Sequence, residues 1–241
     1  MAGHSKWSTI KRQKGKTDAA RAKVFTKIGR ELAVAVKFGG ADPSANSRLR
    51  DAIAKAKAAN MPSDNIFRGI KKAAGELHAI QYESIIYEGY GPGGVAVIVE
   101  TLTDNKNRTA SEMRYIFDRA GGAMGTTGCV SYLFESKGVL VIEKTAKIGE
   151  DAVMMDALDA GAEDFFSQDE AYEVLTAPEN LSAVREALQA KGYTVLSSGI
   201  ERIPQTHATP SDADKFNKML DMFDDNDDVQ EVYHNAEMQE N

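Results

Sequence analysis

The sequence predicts an α+β multidomain protein. A three-helix bundle leads, two α/β domains follow, and the last of these is ferredoxin-like and inserted into the middle one. Three observations support this reading. Apolar spacing changes from a period of 3.6 to a period of 2 near residue 80. Residues 138–203 repeat the order strand, helix, strand, and β-α-β-β-α-β is the ferredoxin-like pattern. A final helix and strand after Pro210 have no sheet of their own, so they are expected to dock on the hairpin sheet of residues 82–134. The domains expected are residues 1–79, then 80–135 together with 205–241, and 136–204 as the insert.

Residues 1–16 carry Lys6, Lys11, Arg12, Lys14 and Lys16 but few large apolar groups besides Trp7 and Ile10. Such a segment buries too little to fold alone and reads as a mobile arm. A helix is predicted from Thr17 to Phe38, ending at Gly39-Gly40. Phe25, Ile28, Leu32 and Val36 form its apolar stripe, with Lys23, Lys27, Arg30 and Lys37 opposite. Asp42-Pro43 is read as the start of a second helix, with Asp as cap and Pro at the first helical position. Pro62-Ser63 starts a third, which stops at Gly75. Tyr82–Glu88 and Val95–Leu102 read as strands around a glycine-rich turn. A helix over Arg108–Ala120 and a strand over Val130–Phe134 follow. In the repeat, Val139–Ile142, Glu163–Ser167, Tyr172–Thr176 and Tyr193–Ile203 are the strands, and Glu150–Ala160 and Pro178–Ala190 the helices. Phe216, Met219, Leu220 and Phe223 make the inner stripe of the last helix, and Val229–Tyr233 the last strand.

Charge is divided by position. Residues 1–80 hold 17 Lys/Arg and 6 Asp/Glu, a net of +11, while residues 81–241 carry a net of −18. Self-repulsion makes this clustering costly unless a polyanion neutralises it, so the head reads as a nucleic-acid footprint. A single cysteine, Cys129, excludes an internal disulfide and suits a reducing compartment. The N-terminus has no apolar core of the signal-peptide kind, and no stretch reaches 18 uncharged apolar residues. The expectation is a cytoplasmic protein with no membrane partner.

Several motifs lose their functional reading on inspection. Gly89-x-Gly91-x-x-Gly94 matches a dinucleotide fingerprint, but a strand follows it where a helix is required, so it reads as a hairpin turn. Asp224–Asp228 resembles the start of a calcium loop, yet the sixth and twelfth places hold Val229 and Asn235 in place of Gly and Glu. It reads as a solvated turn; a sharper hypothesis is that the whole tail from His207 to Asn241, of net charge −8, covers the basic head when nucleic acid is absent. The four histidines form no ligand pair at helical spacing, and no nucleophile, P-loop or metalloprotease signature occurs. No catalytic residue, metal or cofactor is therefore expected. Asn105-Lys106-Asn107-Arg108-Thr109 serves equally as a helix cap or as a phosphate site. Trp7 reads either as a ring that stacks on a base or as an anchor against the bundle.

Taken in order, MAGHSKW at 1–7, FTKI at 25–28, GGADP at 39–43, MPSDNI at 61–66, YEGYGPGG at 87–94, DNKNRT at 104–109, GTTGCVSYLF at 125–134, GAEDF at 161–165 and DDVQEVYHN at 227–235 resemble the YebC/PmpR family. That family includes a mitochondrial translational activator of cytochrome c oxidase. The resemblance implies three domains and a non-enzymatic regulator of gene expression. It implies a DNA-binding transcriptional regulator or, alternatively, a ribosome-associated translation factor that binds rRNA and relieves stalling at proline runs. The residues expected to contact nucleic acid are Lys6, Trp7, Lys11, Arg12, Lys14, Lys16, Lys23, Lys27, Arg30 and Lys37. The bundle shows no outward face rich in Asn, Gln and Arg of the kind that reads bases in the major groove. A third reading makes the acidic α/β domains the seat of a protein partner, with the head as a tether.

Overall fold

A computed structural model describes residues 6–7, 18–75, 82–145 and 148–237. They fall into two compact units: Lys6 and Trp7 with residues 136–203, and residues 18–135 with 204–237.

In the larger unit, α1 (Asp18–Gly39), α2 (Ser47–Ala58) and α3 (Ser63–Gly75) bury Ile28, Leu32, Ala35, Val36, Leu49, Ala52, Ala56 and Ile66 together. This is the expected bundle with one correction at its second helix. Asp42 is not the cap. Its carboxylate closes a local turn on the Ser44 N–H (2.9 Å), and the cap of α2 is Asn46, four residues later. The Asn46 side chain accepts from Leu49 N–H (3.0 Å) and donates to the carbonyls of Ala35 and Gly40, both at 2.8 Å. One buried amide thus caps α2 and ties off the end of α1, which an Asp, with no N–H to give, does not do.

The same unit contains an antiparallel sheet, β3-β1-β2-β8, made of β1 (Glu83–Tyr90), β2 (Ala96–Thr103), β3 (Ala123–Met124) and β8 (Val229–His234). Helices α4 (Lys106–Arg119) and α7 (Ala213–Asp225) pack on it through Met113, Phe117, Phe216 and Phe223. The last helix and strand therefore return to the hairpin sheet, β8 pairing along β2. Val95–Val99 is a continuous apolar run because both faces of β2 are covered: Val95, Val97 and Val99 meet the helices, while Ala96 and Ile98 meet Val130 and Leu133. Gly93 lies at φ +80°, and a Cβ there would sit 2.5 Å from Ser211 N, so the glycine-rich segment is a tight hairpin turn. The expected strand at Val130–Phe134 is a correction: Ser131–Leu133 is a 3₁₀ turn, and the strand begins at Phe134. Glu88 is the cause. Its buried carboxylate accepts the N–H groups of Gly128, Val130 and Ser131 at 2.8–2.9 Å and curls that loop around itself.

The smaller unit is the β-α-β-β-α-β repeat. Strands β4 (Phe134–Glu143), β5 (Asp164–Ser167), β6 (Ala171–Thr176) and β7 (Val195–Pro204) lie in the order β5-β6-β4-β7. Helices α5 (Glu150–Asp159) and α6 (Leu181–Ala190) cover one face through Val153, Ala157, Val184 and Leu188. The opposite face holds Val141, Ala171 and Leu196, and Trp7 packs there, 5% exposed.

Candidate nucleic-acid interface

The cations of α1 recur at Lys23, Lys27 and Arg30, a spacing that puts them on one helix face. That face meets the acidic turn between α7 and β8. Lys23 Nζ lies 2.7 Å from Asp225 Oδ1, and Lys27 Nζ donates to the Asp224 carbonyl at 2.9 Å. Arg30 donates to the carbonyls of Asp227 (2.9 Å) and Leu102 (3.3 Å) and to the Asp228 carboxylate. Behind this row, Lys55 bridges Glu31 and Glu231 at 3.2 and 2.8 Å. Of the tail expected to cover the basic head, residues 224–228 touch this face of α1 directly, so the turn is not merely solvated.

Asp228 organises the turn. Its second oxygen accepts from Arg108 (2.7 Å), Thr109 (2.7 Å) and Thr103 (3.0 Å). Burial pushes this carboxyl up, but the hydrogen bonds from Arg108, Thr109, Arg30 and Thr103 outweigh it and hold it down at about 2. The Asp225 hydrogen bond raises the Lys23 ammonium. Lys55 is lowered by burial and raised more strongly by Glu231 and Glu31.

Arg108 resolves the ambiguity of the 105–109 segment. Asn105 caps α4 through the Arg108 N–H (3.1 Å), and the guanidinium turns to Asp228 and Asp104. The cleft lined by Arg30, Arg108, Asp104, Glu112 and Asp225–Asp228 carries more carboxylates than cations. A phosphate enters it only if the turn moves away.

The other expected contact residues lie elsewhere. Trp7 is an anchor, and its wall is the ferredoxin-like sheet instead of the bundle. Lys6 Nζ pairs with Glu201 at 2.6 Å, and the Lys6 N–H donates to Glu173 at 3.3 Å. Lys37 is half-buried in the last turn of α1. Lys11, Arg12, Lys14 and Lys16 lie outside the described residues. Arg48, Arg50 and Lys57 on α2, and Arg68, Lys71 and Lys72 on α3, are exposed. Sequence reasoning does not single out these six as contact residues. It also missed Asp228 and Glu173, whose importance comes from partners more than a hundred residues away.

Among the described residues, no group of three or more His, Cys, Asp and Glu side chains is placed to hold a metal ion. Among them, no helix is long and apolar enough to cross a membrane.

Two family models match the chain: the TACO1/YebC protein N-terminal domain over residues 5–76, and the TACO1/YebC second and third domain over residues 82–236. A probable transcriptional regulatory protein of Acetivibrio thermocellus is 59% identical, covering 98% of both chains. One of the same description from Clostridium beijerinckii is 60% identical, over 100% of this chain and 98% of the relative. The crystal structure of a conserved hypothetical protein from Aquifex aeolicus superposes with a TM-score of 0.87 at 45% identity, covering 98% of each chain.

Proposed function

Because the chain belongs to the TACO1/YebC family, we propose that it is a non-enzymatic regulator of gene expression that grips a nucleic acid through its basic helices. The single observation that carries this reading is the charge division, +11 over residues 1–80 against −18 over the rest, in a bundle whose α2 and α3 expose six Lys and Arg side chains. The names of the relatives support a transcriptional target, which makes duplex DNA the first polymer to test.

The acidic turn supports the same reading from the other side. Residues 224–228 present carboxylates and carbonyls to Lys23, Lys27 and Arg30 much as a phosphate chain would, so this helix face suits an anion. Bound polymer is then in competition with the turn.

A second reading, a ribosome-associated factor that binds structured RNA, is favoured by the bundle's surface chemistry. Its outward faces carry Lys, Arg and two Phe rings, a composition that suits phosphates and unpaired bases better than major-groove edges.

The experiment is a salt series of binding to operator-length duplex DNA, random duplex DNA and RNA, paired with co-sedimentation on ribosomal particles. Neutralising about five phosphates gives a log–log slope of about −4 on duplex DNA. A site preference of at least about 10³ over random DNA supports the transcriptional reading. Flat DNA affinity with co-sedimentation supports the ribosomal one. Absence of binding to every polymer at low salt refutes both.

A further inference from the structure

Helix α3 turns a phenylalanine toward water. Ile66 is buried and Ile70 and Ala73 pack against the same core, which defines the inward face. Phe67, one residue on, is 67% exposed. Lys71 follows Phe67 by four residues and is also exposed, so the ring and the ammonium share one outward face. Arg68 lies beside them on the exposed surface, its guanidinium held along the helix by the Asp64 carbonyl (3.3 Å) and Asn65 Oδ1. A second ring, Phe38, is 72% exposed at the end of α1, where Gly40 at φ +82° turns the chain.

Exposed phenylalanine rings amid cations have a specific chemical meaning. An apolar pocket by itself would take the rings but would leave the flanking ammonium and guanidinium groups unanswered. A duplex would take the cations, but its bases are hidden in their own stack and offer no face to a ring. Unpaired nucleotides satisfy both: the phosphates meet Lys71 and Arg68 while a base lies on the ring. The α1 cations, by contrast, are already held by carboxylates and carbonyls of residues 224–228.

We propose that the outward face of α3, Phe67 with Arg68 and Lys71, is a stacking platform for unpaired bases of single-stranded nucleic acid. This deepens the nucleic-acid reading above and rests on it. It states that the bundle prefers loops and single strands to duplex, whichever sugar they carry.

The test uses the full chain and fluorescently labelled 12-mers of uridine and of thymidine, with a random duplex of the same length, at 50 mM salt. Wild type binds the single strands more tightly than the duplex. Phe67→Ala weakens single-strand binding by about 5- to 100-fold and leaves duplex binding within twofold. Phe67→Trp restores the affinity, whereas Phe67→Leu does not, because a leucine is apolar but has no π-face. Circular dichroism of each variant matches wild type, since the ring leaves no core cavity. Uridine and thymidine arms that respond alike place the recognition in the base, and a larger effect with uridine points to RNA as the polymer. Equal binding of single strands by wild type and Phe67→Ala overturns the platform while the broader reading stands. Failure of wild type to bind any polymer removes both.

Discussion

Asp228 and Glu173 are carboxylates of nearly equal burial, 3% and 5% exposed, held in opposite ways. Asp228, in the larger unit, receives two arginines and two threonine hydroxyls, so its charge is more than compensated and its carboxyl sits at about 2. Glu173, in the smaller unit, stands on the sheet face under Trp7. Burial pushes it up to about 7; the Lys6 and Trp7 N–H groups and the Lys6 ammonium oppose this, and Glu201 adds to it. Its Oε2 accepts no hydrogen bond among the described residues. Burial alone therefore predicts nothing about a carboxylate. The number and charge of its donors decide whether it clamps a structure as an anion or tolerates it best as a neutral acid.

The comparison is broken most severely at Asp228. Asp228→Ala leaves Arg30 without its carboxylate and Arg108 with Asp104 alone, and the larger unit is destabilised by about 4 kcal/mol in urea unfolding. A loss under 1 kcal/mol shows that the network is surface decoration. Trp7→Ala comes next, at about 3 kcal/mol for the smaller unit, by loss of the indole from the Val141, Ala171 and Leu196 face. Hydrogen exchange in β4 and β6 measures it, and unchanged protection there contradicts the anchor.

A pH series sharpens the contrast, because the two acids act with opposite sign. Glu173 keeps its proton more tightly in the folded chain, about 7 against 4.5. Its folded state binds more protons than the unfolded one between those values, so stability falls by about 3 kcal/mol as pH rises from 4.5 to 7, then levels. Glu173→Gln removes that slope. Asp228 contributes stability that is complete above its ordinary value of 3.8 and is lost as pH falls through about 2. The emission of Trp7, the chain's one tryptophan, reports the first event directly. Emission that shifts identically with pH in wild type and Glu173→Gln assigns the titration to another group.

The smallest effect is at the turn's exposed rim. Asp224→Asn with Asp225→Asn removes the anion opposite Lys23 and lowers the field over Lys27, and low-salt affinity for nucleic acid rises about threefold. Unchanged affinity shows that the polymer does not compete with the turn. Lys23→Glu with Lys27→Glu sets carboxylates against Asp225 and so disturbs the turn as well as any anion site.

Much of the fold was legible for local reasons. Ile28, Leu32 and Val36 recur at the helical period and all lie in the bundle core. Gly93 and Gly94, both at positive φ, mark the hairpin, as a glycine-rich segment between two strand patterns indicates. The errors were also local in origin. Asp42-Pro43 has the chemistry of a cap, and Asn46 outcompeted it because one buried amide serves two helix ends. Val130–Phe134 has strand composition, and three N–H bonds to Glu88, forty residues earlier, curl it.

Composition and periodicity by themselves determined the charge division and the three groups of elements, since each depends on residue type and spacing along the chain, while the resemblance to the family came from the motifs. Only the tertiary structure decided which cations face outward. The stripe of Lys23, Lys27 and Arg30 is identical in the sequence whether it meets solvent, phosphate or Asp224–Asp228, and Trp7 is the same residue whether it stacks or anchors. Electrostatic and packing energies depend on distance in space, and contacts separated by about 200 residues leave no periodic trace for a sequence reading to find.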